Sequence, residues 1–295
     1  IEATSYPENS SLKIYVTCKP FNKSSKIKAF VEHALKRIER LIMNHNDTVK
    51  NSFKKQAKKF AAYHMSKTEY TDYLIKRIGA KGTEHALEVA AGTCICGRAL
   101  APFVKDITCL DLTEEMLAQG KRLAGENQIN NIYFQIGNAE ELPYDSETFD
   151  LVVTRLSFHH FDNPKQPFGE MNRVLKKGGK LVVWDMEAAE EPLRTMDDKI
   201  EKMRDMSHTR ILSREEFEKL FEKDFTLQCE ETTLVSVNLK SWMELTDTLE
   251  DVQKEITNLM KAELAGGSKT GFSPYKKESQ IMFDHRWLLL IGEKN

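Results

Sequence analysis

Two carboxylates, Glu88 and Asp111, each close a short apolar run, and three histidines, His159, His160 and His208, follow further along the chain. A carboxylate leaving a strand can accept hydrogen bonds from both hydroxyls of a ribose, each worth about 1.5–3 kcal/mol. The run Glu88-Val89-Ala90-Ala91-Gly92-Thr93-Cys94 is a glycine-containing turn onto a helix. There, backbone N–H groups and the helix end can approach an anionic ligand group. Of the glycines common in such turns only Gly92 is present, because Ala90 and Cys94 occupy the other positions. Asp111 has a plainer use as the cap of a helix beginning near Glu114, although Thr113 could serve equally well. Histidine suits general-base chemistry near neutral pH. The candidates are the adjacent pair His159 and His160, His208 at the end of Arg204-Asp205-Met206-Ser207-His208, and the acid Asp185. Loop hydrogen bonding, capping and packing compete with catalysis at each of them.

The elements that must hold these groups show as short apolar runs alternating with helical periods. Strands are expected over 85–90, 107–111, 132–136, 149–154, 180–184, 225–230 and 287–292, and helices over 95–104, 114–127, 164–175 and 213–222. Apolar strand centres separated by helices imply a mostly parallel sheet covered on both faces, whose ligand crevice lies at the carboxyl ends of the strands. Residues 240–264 have the period of one long amphipathic helix before the flexible run AGGSKTG, and an insertion over about 240–270 is expected to act as a helical lid. A basic amphipathic helix from residue 50 carries Phe53, Ala57, Phe60 and Ala61 on one face. Phe60, Tyr63, Trp242, Met243 and Leu249 are candidates for a lid or an acceptor wall, with core packing as the alternative.

The chain has 295 residues, with 43 Lys and Arg against 45 Asp and Glu, 40% hydrophobic and 30% charged. This composition excludes a uniformly basic nucleic-acid binder, a disordered acidic chain and a fibrous repeat. Residues 1–67 nevertheless hold 14 basic and 5 acidic side chains, net +9, and the remainder is net −11. Residues 1–42, with a strand over 12–18 and a helix over 26–42, form an N-terminal extension of unknown role. Met43 opens a stretch that reads like a protein start, so the second domain is placed at 43–295. Five scattered cysteines, the absence of a secretory signal and apolar runs too short for a bilayer point to a reduced, cytoplasmic protein with no membrane span. Cys94 and Cys96 have no second pair or nearby His to complete a tetrahedral metal site, so no metal is expected.

The remaining strand ends add Gly137-Asn138-Ala139-Glu140-Glu141-Leu142-Pro143, Phe149-Asp150-Leu151-Val152-Val153-Thr154-Arg155 with Phe158-His159-His160-Phe161, and Leu175-Lys176-Lys177-Gly178-Gly179. With the two earlier motifs they make five in order, and from about Val49 to Lys294 the chain resembles the class I S-adenosylmethionine-dependent methyltransferases, in particular the ubiquinone and menaquinone methyltransferase branch. The resemblance implies a Rossmann-like α/β fold, with a seven-stranded, mostly parallel sheet, an antiparallel last strand and helices on both faces. It also implies S-adenosylmethionine as cofactor and S-adenosylhomocysteine as product. Position by position, Glu88 and the backbone of Ala90 and Gly92 would line the methionine part. Asp111 would hold the ribose and Leu112 would pack on the adenine. Asn138 and the Ala139 N–H would read the adenine edge, and the Arg155 carbonyl would meet the cofactor's amino group. Departures from the family pattern are the missing glycines at 90 and 94, and Asn138 where Asp is commoner. The run 204–208 resembles an Arg-Asp-Pro-Ser-His signature of a bacterial subgroup, with Met206 in place of proline.

Methyl transfer needs alignment and at most one proton acceptor; His160 is the first choice, then His208 and His159. The expected acceptor is a small, apolar or aromatic molecule. A nucleic-acid methyltransferase is the competing reading, weakened by the absence of an Asn/Asp-Pro-Pro-Tyr run for a flipped base. A cofactor-binding module without catalysis is the other. A homodimer is entertained, and the sequence leaves oligomeric state open.

Overall fold

The computed structural model describes residues 2–8, 11–17, 44–62 and 68–295. The chain divides into two compact units, Ile1–Asn44 and His45–Asn295. In the first, β1 (Glu2–Glu8) pairs antiparallel with β2 (Ser11–Thr17), Glu2 opposite Thr17 and Glu8 opposite Ser11. The strand expected over 12–18 is β2; its partner β1 was not foreseen, and the helix expected over 26–42 lies outside the described residues.

The second unit opens with helices α1 (His45–Ala62) and α2 (Thr68–Ile78). Parallel strands β3 (His85–Val89), β4 (Asp106–Asp111), β5 (Ile132–Ile136), β6 (Phe149–Arg155) and β7 (Leu175–Met186) then alternate with α3 (Ile95–Leu100), α4 (Glu114–Glu126) and α5 (Lys165–Val174). After β7 come α6 (Arg194–Arg204), α7 (Arg214–Phe221), β8 (Phe225–Asn238), α8 (Leu239–Leu245), α9 (Glu250–Leu264), β9 (Tyr275–Lys277) and β10 (Gln280–Lys294). The sheet order is β5-β4-β3-β6-β7-β10-β8, with β10 antiparallel to both neighbours and β9 added beside β10. That makes eight strands, one more than expected, because the short β9 folds back on the first residues of β10.

Side chains alternate cleanly between two cores. Ala86, Ile107, Val153, Val182, Trp184 and Leu289 belong to one, while Leu87, Leu110, Val152, Leu181, Val183 and Leu290 belong to the other. A sheet buried on both faces needs these continuous apolar runs. The reversal between β3 and β6 in the strand order, β4 lying to one side and β6 to the other, places the crevice beyond the ends of β3, β4 and β6.

Several expected boundaries move for physical reasons. The helix expected over 95–104 ends at Leu100 and continues as one 3-10 turn, Ala101–Phe103, around Pro102. The helix expected over 240–264 is two: α8 is capped by the Asn238 side chain, and the chain turns through left-handed Asp247 before α9. Helix α6, RTMDDKIEKMR, was not expected, since its apolar positions are too few for a stripe. Strands β8 and β10 outrun their apolar centres because the antiparallel ladder continues through polar residues, from Met282↔Asn238 to Lys294↔Phe225.

Candidate active site

At the end of β3 the chain passes through three left-handed residues, Ala90 (φ 53°), Gly92 (φ 54°) and Cys94 (φ 57°). The turn therefore keeps a glycine-type backbone where two of its residues are not glycine, which costs about 1–2 kcal/mol at each. Two carboxylates hold this shape. Asp111 Oδ2 accepts the Gly92 N–H at 2.7 Å and Oδ1 accepts the Thr113 N–H at 2.8 Å. Glu88 accepts the N–H groups of Cys96 (3.2 Å) and Gly97 (2.8 Å) and the Cys109 thiol (3.4 Å). Glu88 thus caps the first turn of α3, the place where a ligand anion is often found. Gly97 makes this approach possible, because a Cβ there would lie 2.3 Å from Cys109 Sγ. Burial raises the pKa of both carboxyls, while the amides they accept oppose the shift. Asp111 is 9% exposed, and each of its oxygens, with one backbone bond, keeps a lone pair for a hydroxyl.

Glu88, Cys94 and Cys109 bring three ligand-type atoms within 4.8 Å of one another. The fold brings Cys94 next to Cys109 across the turn, a neighbour that its position in the sequence did not show. Burial raises the pKa of the Cys109 thiol well above its ordinary value, and the Glu88 oxygens are already spent on amides.

A cleft of about 1000 Å³, open mouth included, lies over this turn. Glu88, Ala90, Gly92, Asp111 and Leu112 line it from β3 and β4, and Asn138, Ala139 and Arg155 from β5 and β6. All eight residues assigned to the cofactor from sequence thus share one wall system. Asn138 Oδ1 accepts the Glu140 N–H at 3.0 Å and its Nδ2 donates to Glu140 Oε2 at 3.4 Å, so both ends of the amide are held by the residue two positions on. The donor set, a two-oxygen acceptor at Asp111 flanked by the apolar Leu112 and Met116, suits a nucleoside.

Opposite stands the histidine cluster. Asp185 Oδ2 accepts the N–H groups of Ser157 (2.6 Å) and Phe158 (2.7 Å), and Oδ1 meets His159 Nδ1 at 2.6 Å and the Met186 N–H at 2.8 Å. Burial alone would raise this carboxyl, but His159 and the amides hold it below its usual value. The His160 ring lies 4.2 Å from that of His159 and meets Phe53 edge-on at 5.0 Å. His160 Nδ1 is 3.0 Å from the Ser207 carbonyl, an acceptor only, so Nδ1 carries the proton and Nε2 the lone pair. Burial, with His159 beside it, presses the His160 pKa down to about 3. His208 donates from Nε2 to Asp198 Oδ1 (3.0 Å), and its buried Nδ1 has no partner. The ring centroids of His159 and His208 are 5.7 Å apart. The structure therefore gathers all three histidines, but only His160 lines the cleft; His159 and His208 stand behind it.

Helix α1 roofs the cleft with Asn46, Val49, Phe53 and Phe60, a single stripe at helical spacing. Ser52 bonds Asp205 (3.2 Å), Lys54 pairs with Glu115 (2.8 Å), and Lys59 reaches the Glu244 carbonyl (2.7 Å) and the Asp247 side chain. The His45 ring meets the His160 carbonyl at 2.5 Å. Sequence reasoning singled out Phe60 for the wall but missed Asn46, Val49 and Phe161, which also line it; Tyr63 lies outside the described residues. The lid expected over 240–270 contributes no lining residue. Trp242 is 2% exposed, stacked in the core with Phe272 and Phe283, and α8 braces α1 from outside.

A crevice at the switch point of the parallel order β5-β4-β3-β6-β7, an acid ending β4 and an antiparallel strand inserted beside β7 define a class I methyltransferase fold. Residues 87–183 match the family described as a methyltransferase domain. It is 29% identical over 185 residues to the uncharacterized methyltransferase YcgJ of Bacillus subtilis, covering 62% of this chain and 73% of that protein. The solved YcgJ structure superposes with a TM-score of 0.70 over 79% of this chain and 99% of that one, at 26% identity. A demethylmenaquinone methyltransferase of Alkalihalophilus pseudofirmus is 36% identical over 111 residues, 37% of this chain and 47% of that protein. The chain thus matches about half the length of that relative. A geranyl diphosphate C-methyltransferase of Streptomyces coelicolor, solved with S-adenosyl-L-homocysteine, shares the fold at 15% identity and a TM-score of 0.53, over 77% of this chain and 78% of that one. None of the described helices is long and apolar enough to cross a membrane.

Proposed function

We propose that the protein moves the methyl group of S-adenosylmethionine to a small, apolar or aromatic acceptor by in-line displacement. The observation that carries this reading is one cleft shared by the Asp111 turn on one side and by His160, Phe53, Phe60 and Phe161 on the other. When bound, the cofactor supplies an electrophilic methyl on a sulfonium. Asp111 would hold the ribose hydroxyls and Leu112 and Met116 the adenine faces, with the Asn138 side chain and the Ala139 N–H at its edge.

The remaining work falls to the chain's own residues. The Phe53 and Phe60 rings exclude water and offer an apolar or aromatic molecule flat contact area. His160, neutral at physiological pH, presents the Nε2 lone pair to an acceptor proton, while the Ser207 carbonyl keeps the proton on Nδ1. A base this weak assists an acceptor that loses its proton only as the methyl arrives. Asp185 positions His159, and His159 backs His160. Relatives named demethylmenaquinone methyltransferase support an acceptor of the quinone kind.

The test is a screen with labelled S-adenosylmethionine across quinols, phenols, aromatic carboxylates and RNA, preceded by mass spectrometry of the freshly purified protein for S-adenosylhomocysteine. Label in a small aromatic product is the expected result. A copurified nicotinamide, or label in RNA alone, would overturn the reading.

A further inference from the structure

Among the described residues, Arg155 is the one Lys or Arg on the wall of the cleft. It leaves the end of β6 on the same face as Trp184, its partner in register on β7. Its guanidinium carbon lies 4.8 Å from the centroid of the Trp287 ring and 5.3 Å from that of Trp184, and the two indoles meet edge to face at 5.4 Å. Arg155 Nε and Nη2 are buried and have no hydrogen-bond partner.

The nearest acids do not answer them. Glu88 spends its oxygens on Cys96, Gly97 and Cys109, and Asp185 on Ser157, Phe158, His159 and Met186. The aromatic faces stabilise the cation but accept no conventional hydrogen bond. Burial pulls the guanidinium pKa below its ordinary value, though such a group stays charged at any physiological pH. A buried cation with two unmade hydrogen bonds is costly to keep unless something completes it. Nε and Nη2 form one edge of the guanidinium, the edge that takes both oxygens of a carboxylate side-on.

We infer that Arg155 is a carboxylate clamp on the floor of the cleft, its Nε–Nη2 edge gripping either the α-carboxylate of the cofactor or the carboxylate of an acidic aromatic acceptor. The clamp rests on the proposed methyltransferase reading and extends it, adding a cationic anchor to a site whose other described lining is apolar, neutral polar and acidic. The indole pair excludes water from the fork, so each hydrogen bond there is stronger than in solution.

Calorimetry separates the two sources. Arg155→Met keeps length and apolar packing but removes the fork; Arg155→Lys keeps the charge without the bidentate edge. Each is titrated with S-adenosylhomocysteine and with 5′-methylthioadenosine, which lacks the carboxylate. Each is also titrated with benzoate and salicylate in the presence of S-adenosylhomocysteine. If the anion is the cofactor's, R155M loses roughly ten- to a hundredfold in affinity for S-adenosylhomocysteine and none for methylthioadenosine, with R155K between. If it is the acceptor's, both nucleosides bind as in the wild type, and the aromatic carboxylates bind the wild type but not R155M. R155M binding every ligand as the wild type does, or losing both nucleosides equally, overturns the clamp while the cofactor site stands. A wild-type protein that binds neither nucleoside overturns the methyltransferase reading and the clamp together.

Discussion

Asp185→Asn is the sharpest single perturbation of the site's architecture. The wild-type carboxylate is 1% exposed and accepts at both oxygens, two amides on Oδ2 and His159 with Met186 on Oδ1. An asparagine loses the charge from all four contacts and places an NH2 either against the two amides on the Oδ2 side, or against the Met186 N–H on the Oδ1 side with His159 forced to move its proton to Nε2. Bonds to a buried charge are worth about 1.5–3 kcal/mol each. Two of them give roughly 3–6 kcal/mol, which relaxation trims toward the 3–5 kcal/mol typical of a broken buried pair. Urea unfolding at pH 7 reads this as a lower midpoint at unchanged slope. Because the folded carboxyl titrates below its unfolded value near 3.9, its contribution is fully present above about pH 4 and fades as the pH falls further. The gap between wild type and variant should therefore hold from pH 8 to 5 and narrow only in more acid solution. A gap under about 1 kcal/mol at pH 7, or one that shrinks on raising the pH, would refute the role assigned to Asp185.

Other substitutions test the remaining parts. Asp111→Ala should weaken binding of S-adenosylhomocysteine by at least roughly tenfold in calorimetry, and equal affinity would remove this residue from the ribose site. Ala90→Gly should leave stability unchanged or raise it by up to about 1 kcal/mol, strain relief set against the freer unfolded chain. Ala90→Val should instead lose about 2 kcal/mol or more, since a β-branched residue is least suited to φ 53°; the pair ranked in reverse by thermal denaturation would contradict the left-handed turn. His160 is neutral in the fold down to about pH 3 but titrates near 6.5 when unfolded, so it favours unfolding as the pH falls from 6.5. Replacing it by Phe should remove about 2 kcal/mol of the stability lost between pH 7 and 5. An unaltered pH profile of stability would argue against a buried neutral ring.

The parallel half of the sheet was legible because its central strands are buried on both faces and so read as unbroken apolar runs, as in LVV at 151–153 and 181–183 with their helices between. Where one face meets polar residues, as along β8 and β10, the pattern stops before the ladder does, and α6 escaped because an acidic and basic helix can be held by a few apolar contacts. Within the site, residues at strand ends were readable from type and spacing. What could not be read was which groups those residues spend their bonds on. Glu88 looks like a ligand-binding acid in sequence and caps α3 in the fold. His159 and His160 are equivalent letters, yet Asp185 claims one and the cleft the other. Arg155 drew attention only for its carbonyl, since the two indoles that frame its side chain come from 29 and 132 positions further on. Small residues at 90 and 94 hid the turn from a glycine count, although their backbone is what glycine would have supplied.

The α1 roof turns the site's surface charges into a kinetic property. A ligand larger than the cleft mouth would have to part α1 from its neighbours, and there the helix is fastened by Lys54–Glu115 and Lys59–Asp247, both partly exposed to solvent. Such pairs add little to equilibrium stability and are screened by salt. Their effect would fall instead on how long the roof stays shut, and so on the residence time of product, the step that limits turnover in many lidded enzymes. The basic character of this segment, ambiguous as a sign of a partner, thereby becomes a latch whose tension is set by the ionic strength around it.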